Sequence, residues 1–376
     1  MPIINRTNKG SLIGTVVSVD ALTQTVRFAS SDNDESKLIV SSVPYEAAAF
    51  DKAFFESLGN IVKQEIEQNP NMDLQKVSLI LPDQLFLTDT VTVPVIHRKA
   101  MQQSLSIAVE SLYQNAADLT LMTYTVQQSK QAVTFGLVGV RNDILKQAND
   151  ALDDAEAPAS GITFAANAMV NGAMALNAKL RGDSFLLLDV KRDYARFAFV
   201  VRGCTMGYYD LPFGYGILHK SHVVSEDTLF GHRAAKLLVH TSKEKARDKQ
   251  QTPEGVVLVS KGADAETGRK LPKFMQRSTP LYEEEFVYEN FRVFLKWAQE
   301  LINNNQDITS LVKIDTVYIN MPDEYHFLFD IVSKKQEGRD VAFAPLSPEG
   351  GEVTFAQDLE LYGGFFTGRY NEANTF

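Results

Sequence analysis

The residues of this chain that could do chemistry are sparse and poorly grouped. His219 and His222 stand three apart and would share a helix face, as a metal-binding pair does, but no Glu or Cys at ligand spacing joins them. A stable zinc site takes three or four ligands, so the pair reads as surface histidines. The single cysteine, Cys204, follows Gly203 in a strand-like context with no His within several residues. A thiol nucleophile needs a base beside it, and a buried structural thiol is the better reading. Neither a Gly-x-Ser-x-Gly elbow nor a Gly-x4-Gly-Lys-Ser/Thr loop occurs, which removes the usual anchors of serine hydrolases and P-loop enzymes. Two carboxylates remain. Asp20 and Asp189 each close an apolar run and precede a polar turn, a position where Asp commonly serves the turn itself.

The elements that would position these groups can be read from periodicity. Ser11–Val19 and Thr25–Ala29 are β-branched and apolar, and Asp20–Gln24 between them reads as the turn of a hairpin. A strand at Lys37–Ser42 follows, then a helix over Ala47–Gln68 with Phe50, Phe54, Phe55, Leu58, Ile61, Val62 and Ile66 on one broad face, stopped near Asn69-Pro70. Val77–Leu81, Thr88–Val93, a helix over Arg98–Gln114, Leu121–Gln128, Ala132–Val140 and a helix over Asn142–Leu152 read as a small α+β unit. Ile162–Phe164 and a helix over Ala165–Leu180 return to the first lobe, and Arg181–Asp183 marks the boundary of a second. There Ser184–Asp189, a polar turn and Ala195–Val201 repeat the opening pattern, so the chain reads as internally duplicated. A charged run, Lys243–Lys249, precedes a long amphipathic helix over Phe286–Asn303, a strand at Thr316–Ile319 and a helix around Glu324–Lys334.

Composition narrows the function classes. At 376 residues, 44% hydrophobic and 22% charged, the chain is long enough for two cores. A net charge of -10 argues against a nucleic-acid partner, whose phosphates call for a basic face. One cysteine cannot close an internal disulfide, which fits a reducing, cytoplasmic setting. No apolar run approaches the roughly 20 residues of a membrane span, and Met1–Gly10 is too polar for a signal peptide, so no direct membrane insertion is expected.

The order of elements and several local strings resemble the PilM branch of the actin-like family and, more distantly, FtsA. The family's first phosphate loop reads Asp-hydrophobic-Gly-Ser-Ser-Ser-Val-Lys; Asp20-Ala21-Leu22-Thr23-Gln24-Thr25-Val26-Arg27 stands in its place. The second, Asp-Ile-Gly, is matched by Asp189-Val190-Lys191, and the adenosine Gly-Gly loop by Asn320-Met321-Pro322. Val77–Asp83 with Thr88–Pro94 resembles the extra PilM/FtsA subdomain, and Leu361–Arg369 the closing small-residue helix. The resemblance implies an α/β, actin-like (ribonuclease H-like) duplicated two-lobed fold. Its parts would be a first lobe at 1–76 and 162–182, the extra α+β unit at 77–161, a second lobe at 183–355 with a smaller subdomain at about 235–285, and a closing helix at 356–376.

For function, the resemblance implies a cytoplasmic scaffold of a type IV pilus, secretion or competence machine, peripheral to the inner membrane. It would hold the tail of a PilN-like bitopic membrane protein and meet other pilus assembly components, with self-association left open. Leu85, Phe86, Leu105, Val109 and Leu112 are the candidates for that groove, and equally for the core of the extra unit. A nucleotide, if bound, would meet Asp20, Thr23, Asp189, Lys191 and Asn320, with Asp20 and Asp189 orienting magnesium. Leu22 and Lys191 replace glycines whose backbone approaches phosphate, and Pro322 lacks an N–H, so no resident cofactor is expected and hydrolysis is expected to be lost. The alternatives are a nucleotide-binding actin-like ATPase and an FtsA-like division protein; Tyr370–Phe376 lacks the basic amphipathic tail the latter needs.

Overall fold

The computed structural model describes residues 14–31, 38–47, 49–70, 72–113, 115–219, 280–334, 341–348 and 358–367. The expected smaller subdomain at about 235–285 falls almost wholly outside these residues, and Lys243–Lys249, His222 and Tyr370–Phe376 lie outside them.

Two five-stranded sheets share one topology. In the first, β1 (Thr15–Asp20), β2 (Thr25–Ser31) and β3 (Leu38–Pro44) form an antiparallel meander, and β4 (Val77–Leu81) and β8 (Ala159–Phe164) extend it in parallel from β1. In the second, β9 (Phe185–Val190), β10 (Ala195–Val201) and β11 (Cys204–Leu211) make the meander, and β12 (Thr316–Asn320) and β13 (Ala342–Pro345) run parallel to β9. The duplication expected from the repeated hairpins therefore extends to the whole sheet. Every residue of β1, β4 and β9 is buried, as central strands covered on both faces require.

Between β4 and β8 of the first sheet, β5 (Phe86–Pro94), β6 (Leu119–Gln128) and β7 (Ala132–Arg141) form a separate three-stranded antiparallel sheet in the order β5-β7-β6. Helix α2 (Arg98–Leu112) packs on it over Val91, Val93, Phe135 and Leu137. Val77–Leu81, read from sequence as part of this inserted unit, lies instead in the first sheet beside β1. Its apolar run, broken only by the buried Ser78, suits a strand buried on both sides, whereas the Thr-rich β5 does not. Helix α3 (Asn142–Asp154), also read as part of the unit, packs on α1 (Lys52–Gln68) of the first lobe. Asp51 caps α1 by accepting from the Phe54 N–H at 3.1 Å.

Helix α4 (Ala165–Leu176) is buried along nearly its whole length, and it stops earlier than expected because the Asn177 side chain caps a separate turn at Ala178–Leu180. The closing helix, α7 (Leu359–Gly364), crosses α4 in direct backbone contact. Helix α5 (Pro280–Asn304) and helix α6 (Phe327–Lys334) cover the second sheet, with Phe291, Phe294, Leu295 and Ala298 in its core. Among the described residues, no helix is long and apolar enough to cross a membrane.

Candidate functional site: two matched hairpin loops and a buried arginine

Strands β1 and β9 both run into a short loop and return as an antiparallel partner, pairing Asp20 with Thr25 and Val190 with Ala195. The loops face each other across the junction of the lobes, and each satisfies its own polar groups. The Asp20 carboxylate accepts from the backbone N–H groups of Leu22 (2.9 Å) and Thr23 (3.3 Å) through Oδ1. Its Oδ2 accepts from the Tyr194 hydroxyl of the opposite loop at 3.0 Å. Both side chains are buried. Burial, with Asp20 alongside, pushes the Tyr194 phenol well above its ordinary range, so it stays a neutral donor.

Asp189 is engaged on both oxygens. Asn320, level with it on the parallel strand β12, donates from Nδ2 to Oδ1 at 2.6 Å, and Lys191 Nζ lies 3.2 Å from Oδ2. The structure thus brings Asp189, Lys191 and Asn320 together, and joins Asp20 to their loop through Tyr194. Thr23 contributes its backbone N–H, while its hydroxyl pairs with Thr25 at the surface. The second loop is also spoken for at the backbone. The Lys191 N–H donates to the Tyr194 carbonyl at 2.9 Å, and the carbonyls of Lys191 and Arg192 accept from Tyr215 and Gly216, each at 2.8 Å. A Cβ at Gly214 would sit 1.8 Å from the Lys191 oxygen, so this approach needs glycine.

Behind the loops lies a group that the sequence reading missed. Arg196, on β10, is buried, and its Nε donates to Asp210 Oδ1 on β11 at 2.8 Å. Its Nη1 donates to Glu360 Oε2 on the closing helix at 2.9 Å. Asp83, just beyond β4 in the first lobe, places Oδ2 3.1 Å from Nε. The single Nε hydrogen is already directed at Asp210, so Asp83 Oδ2 lies beside the guanidinium without a hydrogen bond from it. Asp83 Oδ1 accepts from the Ala166 N–H at 2.8 Å. Ser18 hydrogen-bonds Glu360, and Arg27 pairs with Asp358. Burial raises the Asp83 carboxyl to about 7, outweighing the pull of an arginine shared with two other acids. A legible sign of this hub was one arginine inside the apolar run Ala195–Val201 and one glutamate between Leu359 and Leu361.

The expected groove residues fall into two sets. Leu85 and Phe86 pack with the first-lobe core, whereas Leu105, Val109 and Leu112 belong to the core of the inserted unit. Phe86 and Val109 are buried; the three leucines are half-buried. Cys204 is half-buried at the start of β11, and burial pushes its thiol up to about 11, the inert state expected of it. The backbone of His219 ends a short turn at Tyr215–His219.

No protein-family model matches the sequence. No curated protein matches it either. Among solved structures, the chain superposes on the "PilM-PilN type IV pilus biogenesis complex" over 94% of its own length and 98% of that chain, with a TM-score of 0.53 and 12% identity. The fold is actin-like. It is the duplicated two-lobed fold, with the inserted α+β unit, that the resemblance to PilM implied. Looser similarities are to the cytoplasmic domain of EpsL from the type II secretion system of Vibrio cholerae (TM-score 0.37, 13% identity, 56% of this chain and 77% of that one) and to MreB 5 of Spiroplasma citri bound to AMPPNP (TM-score 0.37, 12% identity, 95% and 96%).

Proposed function

We propose that this protein is a PilM-like, actin-like scaffold at the cytoplasmic face of an inner-membrane pilus or secretion machine, without nucleotide hydrolysis. The observation that carries this reading is the Tyr194–Asp20 hydrogen bond, which ties together the two loops that would otherwise open onto a triphosphate. The residues in place do not fit that ligand. The Leu22 and Thr23 N–H groups serve Asp20, the Lys191 N–H serves Tyr194, and Lys191 Nζ rests on Asp189. A phosphate would have to displace each of these at the full cost of the bonds lost.

The proposed partner is the short cytoplasmic tail of a PilN-like bitopic membrane protein, which would also localise this chain to the membrane. Leu85 on the first lobe and Leu105 and Leu112 on the inserted unit supply half-buried apolar walls on two different bodies, as capture of a short segment requires. The fold shared with PilM supports the same reading. The test is calorimetric titration with a synthetic peptide of that tail. Leu85→Asp and Leu112→Asp are each expected to weaken binding by about tenfold or more, roughly 1.4 kcal/mol. Ile107→Asp, on the opposite side of α2 and 64% exposed, is expected to leave it unchanged. Equal affinity in all three variants, with melting temperatures confirming that they fold, would remove these walls from the interface.

A further inference from the structure

Arg196 does more than neutralise buried acids: it joins the lobes. The arginine and Asp210 belong to the β10–β11 hairpin of the second lobe. Asp83 follows β4 of the first lobe, and Glu360 lies on the closing helix, which contacts β1, β2 and β4 of that same lobe. Tyr208 on β11 adds a second tie, donating to the Asp83 carbonyl at 2.7 Å. Three carboxylates therefore share one guanidinium at the junction, and one of them, Asp83, takes no hydrogen bond from it.

We propose that this cluster is a proton-responsive latch, in which Asp83 carries a proton while the β10–β11 hairpin is closed on the first lobe and loses it when the hairpin lifts. The groups facing Asp83 are Arg196 on β10, Asp210 and the phenol of Tyr208 on β11, and Glu360 on the closing helix. Arg27, paired with Asp358, faces Glu360 from β2. Burial, Asp210 and Glu360 oppose the Asp83 anion, while Arg196 and the Ala166 N–H favour it.

Closed, the Asp83 carboxyl titrates near 7; lifted into water, it returns to the ordinary aspartate range near 4. Closure is therefore fully supported below the lower value and is weakened as pH rises toward the upper one. Between them the opening equilibrium grows by up to about tenfold per pH unit, and above about pH 7 it levels off.

Hydrogen exchange of Ala195–Val201 and Cys204–Leu211, corrected for intrinsic rates and referred to helix Lys52–Gln68 in the same sample, reads this directly. From pH 5 to pH 8 the hairpin is expected to lose protection steeply and then plateau, and Asp83→Asn is expected to abolish the dependence. Should that variant fail to fold, Asp210→Asn serves: without a neighbouring negative charge Asp83 ionises more easily, so the plateau moves to lower pH and the total rise shrinks. A pH profile that is flat in the wild type, or one that Asp83→Asn or Asp210→Asn leaves superimposable on it, overturns the proposal.

Discussion

Arg196→Met is expected to destabilise the protein by about 3–5 kcal/mol, measured by urea denaturation at neutral pH. The size comes from what stays behind. Methionine fills much of the volume, but Asp210 and Glu360 lose the N–H groups they accept from at 2.8 and 2.9 Å, and Asp83 loses its nearest cation. Like charges would then face one another in a site where Arg196 is only 6% exposed. Arg196→Lys is expected to recover part of the loss. One ammonium supplies a charge but not the planar fork that reaches β11 and the closing helix at once. Adding Asp210→Asn and Glu360→Gln to the methionine variant is expected to restore stability substantially, because the stranded charges are gone. A loss below about 1 kcal/mol for Arg196→Met would mean that the acids find water, and that the hub is not closed as described.

The second large effect concerns the closing helix. A Cβ on Gly363 would lie 1.7 Å from the Ala168 carbonyl oxygen and 2.6 Å from the Gly172 nitrogen, both backbone atoms of α4. Neither can move without bending a buried helix, so Gly363→Ala is expected to cost about 3 kcal/mol or more and to displace Glu360 from Arg196. Gly182 is the natural control. It has φ +83° and nothing within 4 Å of an added Cβ. Gly182→Ala should cost only the local strain of a left-handed alanine, about 1 kcal/mol. Equal melting temperatures for the two variants would contradict the close helix crossing.

Much of the scaffold was legible because it is local. The Asp20–Gln24 turn, the amphipathic α1 and the repeated hairpin at Asp189 each follow from neighbouring residues, and these are the features that carry the fold. The extent of the inserted unit was misread at both ends. The apolar run of Val77–Leu81 says that a strand is buried but not in which sheet, and the apolar face of α3 does not say that α1 is its partner. The site was legible only in outline. Asp20, Asp189, Lys191 and Asn320 could be picked out one by one, and the missing glycines argued against phosphate. That Asp20 is tied to the other three depends on Tyr194, which meets it from 174 residues away. Arg196 and Glu360 are 164 apart. Contacts at such separations leave no periodic trace, and only a charged residue inside an apolar strand hinted at them.

Whether the two loops, closed on each other through Tyr194 and Asp20, take a nucleotide is read by a melting curve of the purified chain with and without millimolar Mg-ATP, with Mg-ADP and Mg-GTP alongside. A ligand at 100 times its dissociation constant would add about 2.7 kcal/mol, a shift of several degrees. Loops closed in this way are expected to give no shift with any of the three. A clear rise with Mg-ATP that Asp20→Asn and Asp189→Asn abolish would show that phosphate displaces Tyr194 and Lys191, and would make the protein a nucleotide-binding member of the fold instead.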